Sequence, residues 1–365
     1  MGGGEPKLEA VGFDALAGYP DDDLRVAFQC FSRSAAAIVS GESPPRGAVP
    51  PSTGLLAAAR AAVGETRADH ASARRFFETW FRPYRIGSQK AGFLTGYYEP
   101  VVPASRIETK DFCWPLLARP ADLIAFGPAE APPSLPEGVT GARALPDGSL
   151  VPYFDREAIE RVRAAPIAWV RDAVEAFLIQ VQGSAQLCFT DGGRARLAYD
   201  GRNGLPYTSI GRILMETGAI PEPEMSLARL KQWLRDAGLL EGERGLALMR
   251  RNRSFVFFRL VEAFDAALGP VAGAGVPLTP LRSIAVDRTL WAYGLPFWIE
   301  AELPWESETP SAFRRLMIAQ DTGSAIVGEA RADIFFGSGD SAGARAGSIR
   351  HNASFAALLP RGDVA

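Results

Sequence analysis

The chain has 365 residues, 47% of them hydrophobic, and a formal net charge of -3 from 39 basic and 42 acidic side chains. That length accommodates about two domains with substantial cores, and the near balance of charge argues against a polyanionic partner such as nucleic acid. With only 2 His and 3 Cys, a Ser-His-Asp triad would have to use His70 or His351, and Cys30, Cys113 and Cys188 supply neither clustered zinc ligands nor a disulfide framework. Proton transfer therefore falls to Asp or Glu; the cysteines read as buried free thiols and leave the redox compartment undetermined.

The start, Met1 to Lys7, lacks the basic n-region and apolar h-region of a secretory signal, and no stretch is long and apolar enough to span a bilayer. The glycine run after Met1 is compatible with a signal that has been removed. Cys30 does not read as a lipidation site, because Asp21, Asp22 and Asp23 precede it where an apolar segment belongs.

Residues 22–84 have a helical pattern. Asp22 and Asp23 are placed to cap a helix over 24–39, and Phe76, Phe77, Trp80 and Phe81 recur at helical spacing as core. Residues 91–102, rich in aromatic and β-branched side chains and closed by a proline, predict a strand running into a boundary. Prolines 120, 128, 132, 133 and 136 then predict long surface loops. Within this middle section 155–164 reads as helix, and 177–199 as a hairpin turning at Asp191-Gly192-Gly193. Helices are expected over 209–216 and 224–250. From Phe255 onward short strand-like runs separated by Gly and Pro point to a small barrel rather than alternating parallel βα units, and no internal repeat is evident.

Three aspartates dominate that last part: Asp287 in I-A-V-D-R, Asp321 in A-Q-D-T-G-S, and Asp333 in R-A-D-I-F-F-G. Each lies in an apolar, glycine-bearing setting, where a carboxylate is costly unless paired, hydrogen-bonded or kept protonated for use. A carboxylic-acid active site is the leading expectation.

The strings T-G-Y-Y-E-P (95–100), I-Q-V-Q-G-S (179–184), N-G-L-P-Y-T-S-I-G-R (203–212), S-F-V-F-F (254–258) and the three aspartate motifs together resemble the membrane-bound lytic murein transglycosylase A family, from about Gly92 to Gly347. The resemblance implies a mainly β protein: a discontinuous double-psi β-barrel catalytic domain with N-terminal helices, over 1–101 and 251–365, and an inserted second β-barrel over 102–250. It also implies a groove between the domains for the glycan strands of peptidoglycan.

Its chemistry needs only one carboxylic acid. The acid protonates the departing O4 of N-acetylglucosamine and then accepts the proton of the C6 hydroxyl of the same N-acetylmuramoyl ring, whose intramolecular attack has a high effective molarity and gives a 1,6-anhydro end. By resemblance that acid falls on Asp333, in surroundings where Ile334, Phe335, Phe336 and the nearby Asp321 should all raise its pKa. Asp321 is expected in a supporting, ionised role. Asp287 is either a further support or an aspartate capping the turn at Arg288 and Thr289.

For substrate contact, Thr95, Tyr97 and Tyr98 lie on the first strand, with Tyr97 suited to stack on a sugar. Gln182 and Ser184 offer donors and acceptors, and Gly183, Gly337 and Gly339 allow close backbone approach. Ala185 stands where the family string often has glycine. Asn203, Gly204 and Tyr207 read as shaping a turn more than touching glycan.

Asp321-Thr322-Gly323-Ser324 reproduces the aspartic-protease string, but a bilobal protease needs a second copy and none is present. A silent glycan-binding protein would have little need of all three aspartates. Gly337-Ser338-Gly339-Asp340 is a weak phosphate-loop match, without a following Lys-Ser or Lys-Thr. No metal or organic cofactor is expected. The substrate implies the periplasm or the periplasmic face of the outer membrane, with cell-wall synthesis or hydrolysis proteins as possible partners.

Overall fold

The computed structural model describes residues 7–65, 69–87, 92–127 and 130–363. The glycine run after Met1, Ala91 of the first expected strand, and Pro128 lie outside them. Two compact units form, one from Met1–Tyr98 with Asp265–Ala365, the other from Glu99–Phe264.

The first unit begins with helices that pack by their aromatic residues. Helix Leu24–Ser40 is capped by Asp23, whose side chain accepts from Arg25 N–H, and it ends at Gly41 with φ 70°. Its buried stripe of Leu24, Ala27, Phe28, Phe31 and Ala35 follows the 3.6-residue period. Phe28 and Phe31 meet Phe76 and Phe77 of helix His70–Trp80, with ring centroids 4.9 to 6.4 Å apart. Phe81, expected at the end of that helix, instead opens strand Phe81–Gly87 and still joins the cluster.

Asp22 is not a cap. It forms a buried, bidentate ion pair with Arg282, with Nη1 2.6 Å from Oδ2 and Nη2 2.6 Å from Oδ1, and it also accepts from Leu316 N–H at 2.9 Å. A second polar fastening lies beside it: Gln320 Nε2 donates to Cys30 O at 3.0 Å and to Ser34 Oγ at 2.8 Å, so the helix is tied to the barrel strand that carries Asp321.

That barrel is a closed ring of six strands: Arg350–Pro360, Pro296–Leu303, Ser311–Asp321, Ser283–Ala285, Arg331–Ser338 and Gly92–Glu99, the last pairing back onto the first. Ser283–Ala285 runs parallel to Ser311–Asp321 and antiparallel to Arg331–Ser338. This is the double-psi barrel that the resemblance implied. Strands Phe81–Gly87 and Lys7–Ala10 extend the sheet outward from Arg350–Pro360.

The second unit holds a smaller ring. Strands Val256–Val261, Arg194–Arg202, Ala185–Phe189 and Val101–Ala104 form one sheet, Trp114–Leu117 and Pro166–Val170 another. Bridges Ser105 to Trp169 and Ala118 to Phe258 close them into six strands around Leu116, Val170, Leu187, Leu197 and Phe258. Inside the unit Glu99 is fully buried and clamped by Arg196, with Nε–Oε1 at 2.7 Å and Nη2–Oε2 at 3.0 Å.

Several expectations change here. Strand Val256–Val261, assigned to the outer segment, pairs with Arg194–Arg202 and belongs to the second unit. The first arm of the expected hairpin is a helix, Ala173–Gln182, because Asp172 caps it through Glu175 N–H and Gly183 ends it at φ 83°. The remaining Ala185–Phe189 and Arg194–Arg202 do form a hairpin around Asp191-Gly192-Gly193. The expected helix over 224–250 is two, Leu227–Asp236 and Arg244–Arg251, parted where Gly238 and Gly242 adopt φ 88° and 85°. The proline-rich loops also hold a three-stranded sheet of Ile124–Ala125, Gly141–Ala144 and Leu150–Pro152. Of the three free thiols, Cys30 is buried, while Cys113, expected to be buried, is exposed.

Candidate active site

Strand Arg331–Ser338 carries Asp333, which pairs in register with Ala285; Ala285 pairs on its other side with Asp321. Residues paired across adjacent strands share a face, so the two aspartates stand in one lateral row with the small Ala285 between them, two strand spacings or roughly 9 to 10 Å apart at the backbone. The third side of the site is strand Gly92–Glu99, whose alternation sends Thr95 and Tyr97 to this face. Thr95 Oγ1 donates to Asp333 Oδ1 at 2.6 Å, and Tyr97 OH donates to Asp321 Oδ2 at 3.0 Å. The Tyr97 ring rests 5.4 Å from the Phe335 ring, which fixes the tyrosine above the row.

The two carboxyl groups differ in what surrounds them. Asp333 remains partly accessible, yet burial pushes its carboxyl from the ordinary 3.8 up to about 6; the Thr95 hydrogen bond and the Arg331 charge oppose the rise, and the charge of Asp321 adds to it. Asp321 has both oxygens engaged, Oδ2 by Tyr97 and Oδ1 by Gly273 N–H at 3.0 Å, with Arg46 Nη1 3.8 Å from Oδ1. Burial first, then Asp321 and Asp333, hold the Tyr97 hydroxyl well above its usual range, so Tyr97 stays a donor. Buried Tyr293 lies on the same side as Gly273, and its hydroxyl is also pushed up by burial and by Asp321.

Asp287 is occupied as a turn residue. Its Oδ1 accepts from Thr289 N–H at 3.0 Å and Thr289 Oγ1 at 2.6 Å, and its Oδ2 accepts from Gly328 N–H at 2.8 Å. This is the turn-capping alternative, extended to hold the loop after Asp321. Tyr98 points to the opposite face from Thr95 and Tyr97, buried beneath helix Asp340–Ala346, where a Cβ on Gly343 would lie 2.6 Å from its ring. Gly337 and Gly339 take φ 108° and 86°, so the backbone itself demands glycine at both.

Gln182, Gly183 and Ser184 belong to the other unit, at the end of helix Ala173–Gln182, where Ser184 is buried. Asn203 is a buried brace: its Oδ1 accepts from Phe255 N–H at 2.9 Å and its Nδ2 donates to Phe154 O and Arg253 O. Gly204 crosses Gly141 so closely that a Cβ would fall 1.9 Å from Gly141 N. Tyr207 is exposed. The sequence reading missed Arg331, Arg46 and Gly273. Arg331 had a local signal, since it lies two residues before Asp333 and a strand repeats its face every second residue.

Two closed β-barrels, with a half-buried aspartic acid and a hydrogen-bonded partner aspartate on the double-psi one, define a two-barrel protein with a carboxylic-acid site. Residues 93–259 match the family model of the MltA specific insert domain, and residues 282–359 match the 3D domain. A crystal structure of a membrane-bound lytic murein transglycosylase from Agrobacterium tumefaciens is 34% identical, with a TM-score of 0.87 and 98% of each chain covered. MltA from Neisseria gonorrhoeae is 26% identical, with a TM-score of 0.78 over 99% of this chain and 94% of that one. The membrane-bound lytic murein transglycosylase A of Vibrio cholerae is 31% identical over 73% of this chain, and the match spans 65% of that relative's length. The chain belongs to the membrane-bound lytic murein transglycosylase A family.

Proposed function

We propose that this protein is a peptidoglycan lytic transglycosylase, cleaving the β-1,4 bond between N-acetylmuramic acid and N-acetylglucosamine with formation of a 1,6-anhydromuramoyl end. The observation that carries the reading is the division of labour among the three aspartates. Asp321 and Asp287 have both oxygens taken by hydrogen bonds, whereas Asp333 has one oxygen bonded to Thr95 and, among the described residues, no hydrogen bond at Oδ2.

A hydrolase needs a second carboxylate free to activate water or attack the sugar. A single acid suffices when the nucleophile is the substrate's own C6 hydroxyl. Asp333, with its pKa raised to about 6, holds a proton in the mildly acidic range and delivers it to the leaving O4. The resulting carboxylate then takes the O6 proton. Asp321, with Tyr97 and Arg46, lines the site as the fixed polar wall beside the developing oxocarbenium centre. Gln182 and Ser184, with Gly183, Gly337 and Gly339, are proposed to contact the glycan, and no cofactor enters the reaction.

An aspartic protease is disfavoured by the same geometry, since such a dyad shares one proton between adjoining carboxyls, and here Asp321 bonds Tyr97 and Gly273 instead. The substrate places the protein in the periplasm or at the periplasmic face of the outer membrane; among the described residues no helix is long and apolar enough to cross a membrane. The test is incubation with purified peptidoglycan, following soluble fragments and bound protein together. Release by the native chain and binding without release by Asp333→Asn support the reading. Binding without release by both would make it a glycan-binding module.

A further inference from the structure

Arg331 is tied down on every side. Its Nη1 donates to Ala332 O and reaches Phe93 O at 3.5 Å, its guanidinium lies 5.4 Å from the Phe93 ring centroid, and Nη2 donates to Thr95 Oγ1 at 2.8 Å. A guanidinium has five N–H donors and no acceptor, and a threonine hydroxyl has one proton. The Thr95 oxygen therefore accepts from Arg331, and its single proton is turned toward Asp333 Oδ1, 2.6 Å away.

We propose that Arg331 is a positioning residue, which by donating to Thr95 fills one of that hydroxyl's two lone pairs, turns its proton toward Asp333 Oδ1 and so holds the acid's own proton on Oδ2. Without Arg331 the hydroxyl rotor is released: Asp333 can be protonated on Oδ1 and donate to Thr95, which buries the catalytic proton in a hydrogen bond inside the protein. With Arg331 in place that arrangement leaves the Thr95 hydrogen without its carboxylate acceptor. The chain Arg331–Thr95–Asp333 thus selects the oxygen that meets the substrate. This inference rests on Asp333 being the acid proposed above.

Among the described residues, the charged and titratable groups facing Asp333 are Arg331 on its own strand, Tyr97 on strand Gly92–Glu99, and Asp321 on strand Ser311–Asp321 with Arg46 beyond it; strand Ser283–Ala285 contributes the methyl of Ala285 at this level. Arg331 and the Thr95 bond both hold the Asp333 carboxyl down against burial. Removing either therefore carries the high-pH limb of activity upward, which a loss of mere packing would not do.

The experiment measures product release from purified peptidoglycan against pH for Arg331→Met, Arg331→Lys, Thr95→Val and the double variant Arg331→Met with Thr95→Val, with Asp333→Asn alongside. Arg331→Met is expected to lose roughly ten- to a hundredfold in kcat, the scale of a misplaced catalytic group, with its high-pH limb displaced upward. Arg331→Lys, which keeps a charge and a donor, recovers most of both, and it carries the test if the methionine variant does not fold. The double variant loses no more kcat than Thr95→Val alone. Losses that multiply, or a limb that stays in place in Arg331→Met, would overturn the positioning role while an inactive Asp333→Asn leaves the acid assignment standing. An active Asp333→Asn would remove the acid itself, and the proposal with it.

Discussion

Asp321 and Asp333 occupy one register row of the barrel, each paired to Ala285 from opposite sides. Tyr97 reaches down to the first, and Thr95, two residues earlier on the same strand face, to the second. One strand thus holds both carboxyls, one through a phenol and one through a hydroxyl, and the difference in what else reaches them separates their roles.

Replacing Asp321 by Asn removes a negative charge that raises the Asp333 carboxyl. The acid then loses its proton at lower pH, so the high-pH limb of kcat/KM moves downward, opposite to the displacement expected for Arg331→Met. Activity at the optimum falls roughly a hundred- to a thousandfold, the scale of one preorganised electrostatic group. A pH profile of fragment release shows both effects, and a larger loss than in Asp333→Asn would exchange the two roles.

Asp333 also weighs on stability in a pH-dependent way. Its folded carboxyl titrates near 6 against an ordinary 3.8, so the folded state binds the proton more tightly, and stability is lost as pH rises through the interval between those values. Asp333→Asn is therefore expected to be the more stable protein at pH 8, by about 1 to 3 kcal/mol, and to show little difference at pH 4. Denaturant titrations at the two pH values measure it, and equal differences at both would contradict the burial of the acid.

The buried pair of Asp22 with Arg282 fastens the N-terminal helices to the barrel. Asp22→Ala leaves a guanidinium stranded and is expected to cost about 3 to 5 kcal/mol. Asp22→Ala with Arg282→Met should recover part of that loss, which equilibrium unfolding of the single and double variants would show.

Gly343 sits where helix Asp340–Ala346 crosses Tyr98, with a Cβ falling 2.6 Å from the ring. Gly343→Ala should destabilise by about 1 to 3 kcal/mol through overpacking. A melting curve unchanged from the native chain would mean that Tyr98 can yield.

Much of the site was legible in the sequence. The three aspartate strings stood on or beside short apolar runs, and the N-terminal helix carried its periodicity openly. What the sequence misplaced follows from specific physics. The run F-L-I-Q-V-Q is buried on several sides in helix Ala173–Gln182, with Phe177, Leu178, Ile179 and Gln180 all inside, so it carries no one-sided stripe to distinguish helix from strand. Its ends, Asp172 and Gly183, held the better signal. Asp22 looked like a cap because its partner Arg282 is 260 residues away, and no local rule finds a contact of that span. Tyr98 adjoins Tyr97 in the T-G-Y-Y-E-P string, but strand alternation sets it on the other face from Thr95 and Tyr97. Arg331 shows the opposite case: alternation places it beside Asp333, but Thr95, which links the two, comes from a strand more than 230 residues earlier.

The most direct test of the account is the mass of the fragments that the protein releases from purified peptidoglycan, with Asp333→Asn in parallel. The account predicts disaccharide products lighter by one water than their hydrolytic counterparts, and none from the variant. Hydrolytic products from the native chain, with full reducing ends, would contradict a single-acid, intramolecular mechanism and require a second carboxylate that acts on water.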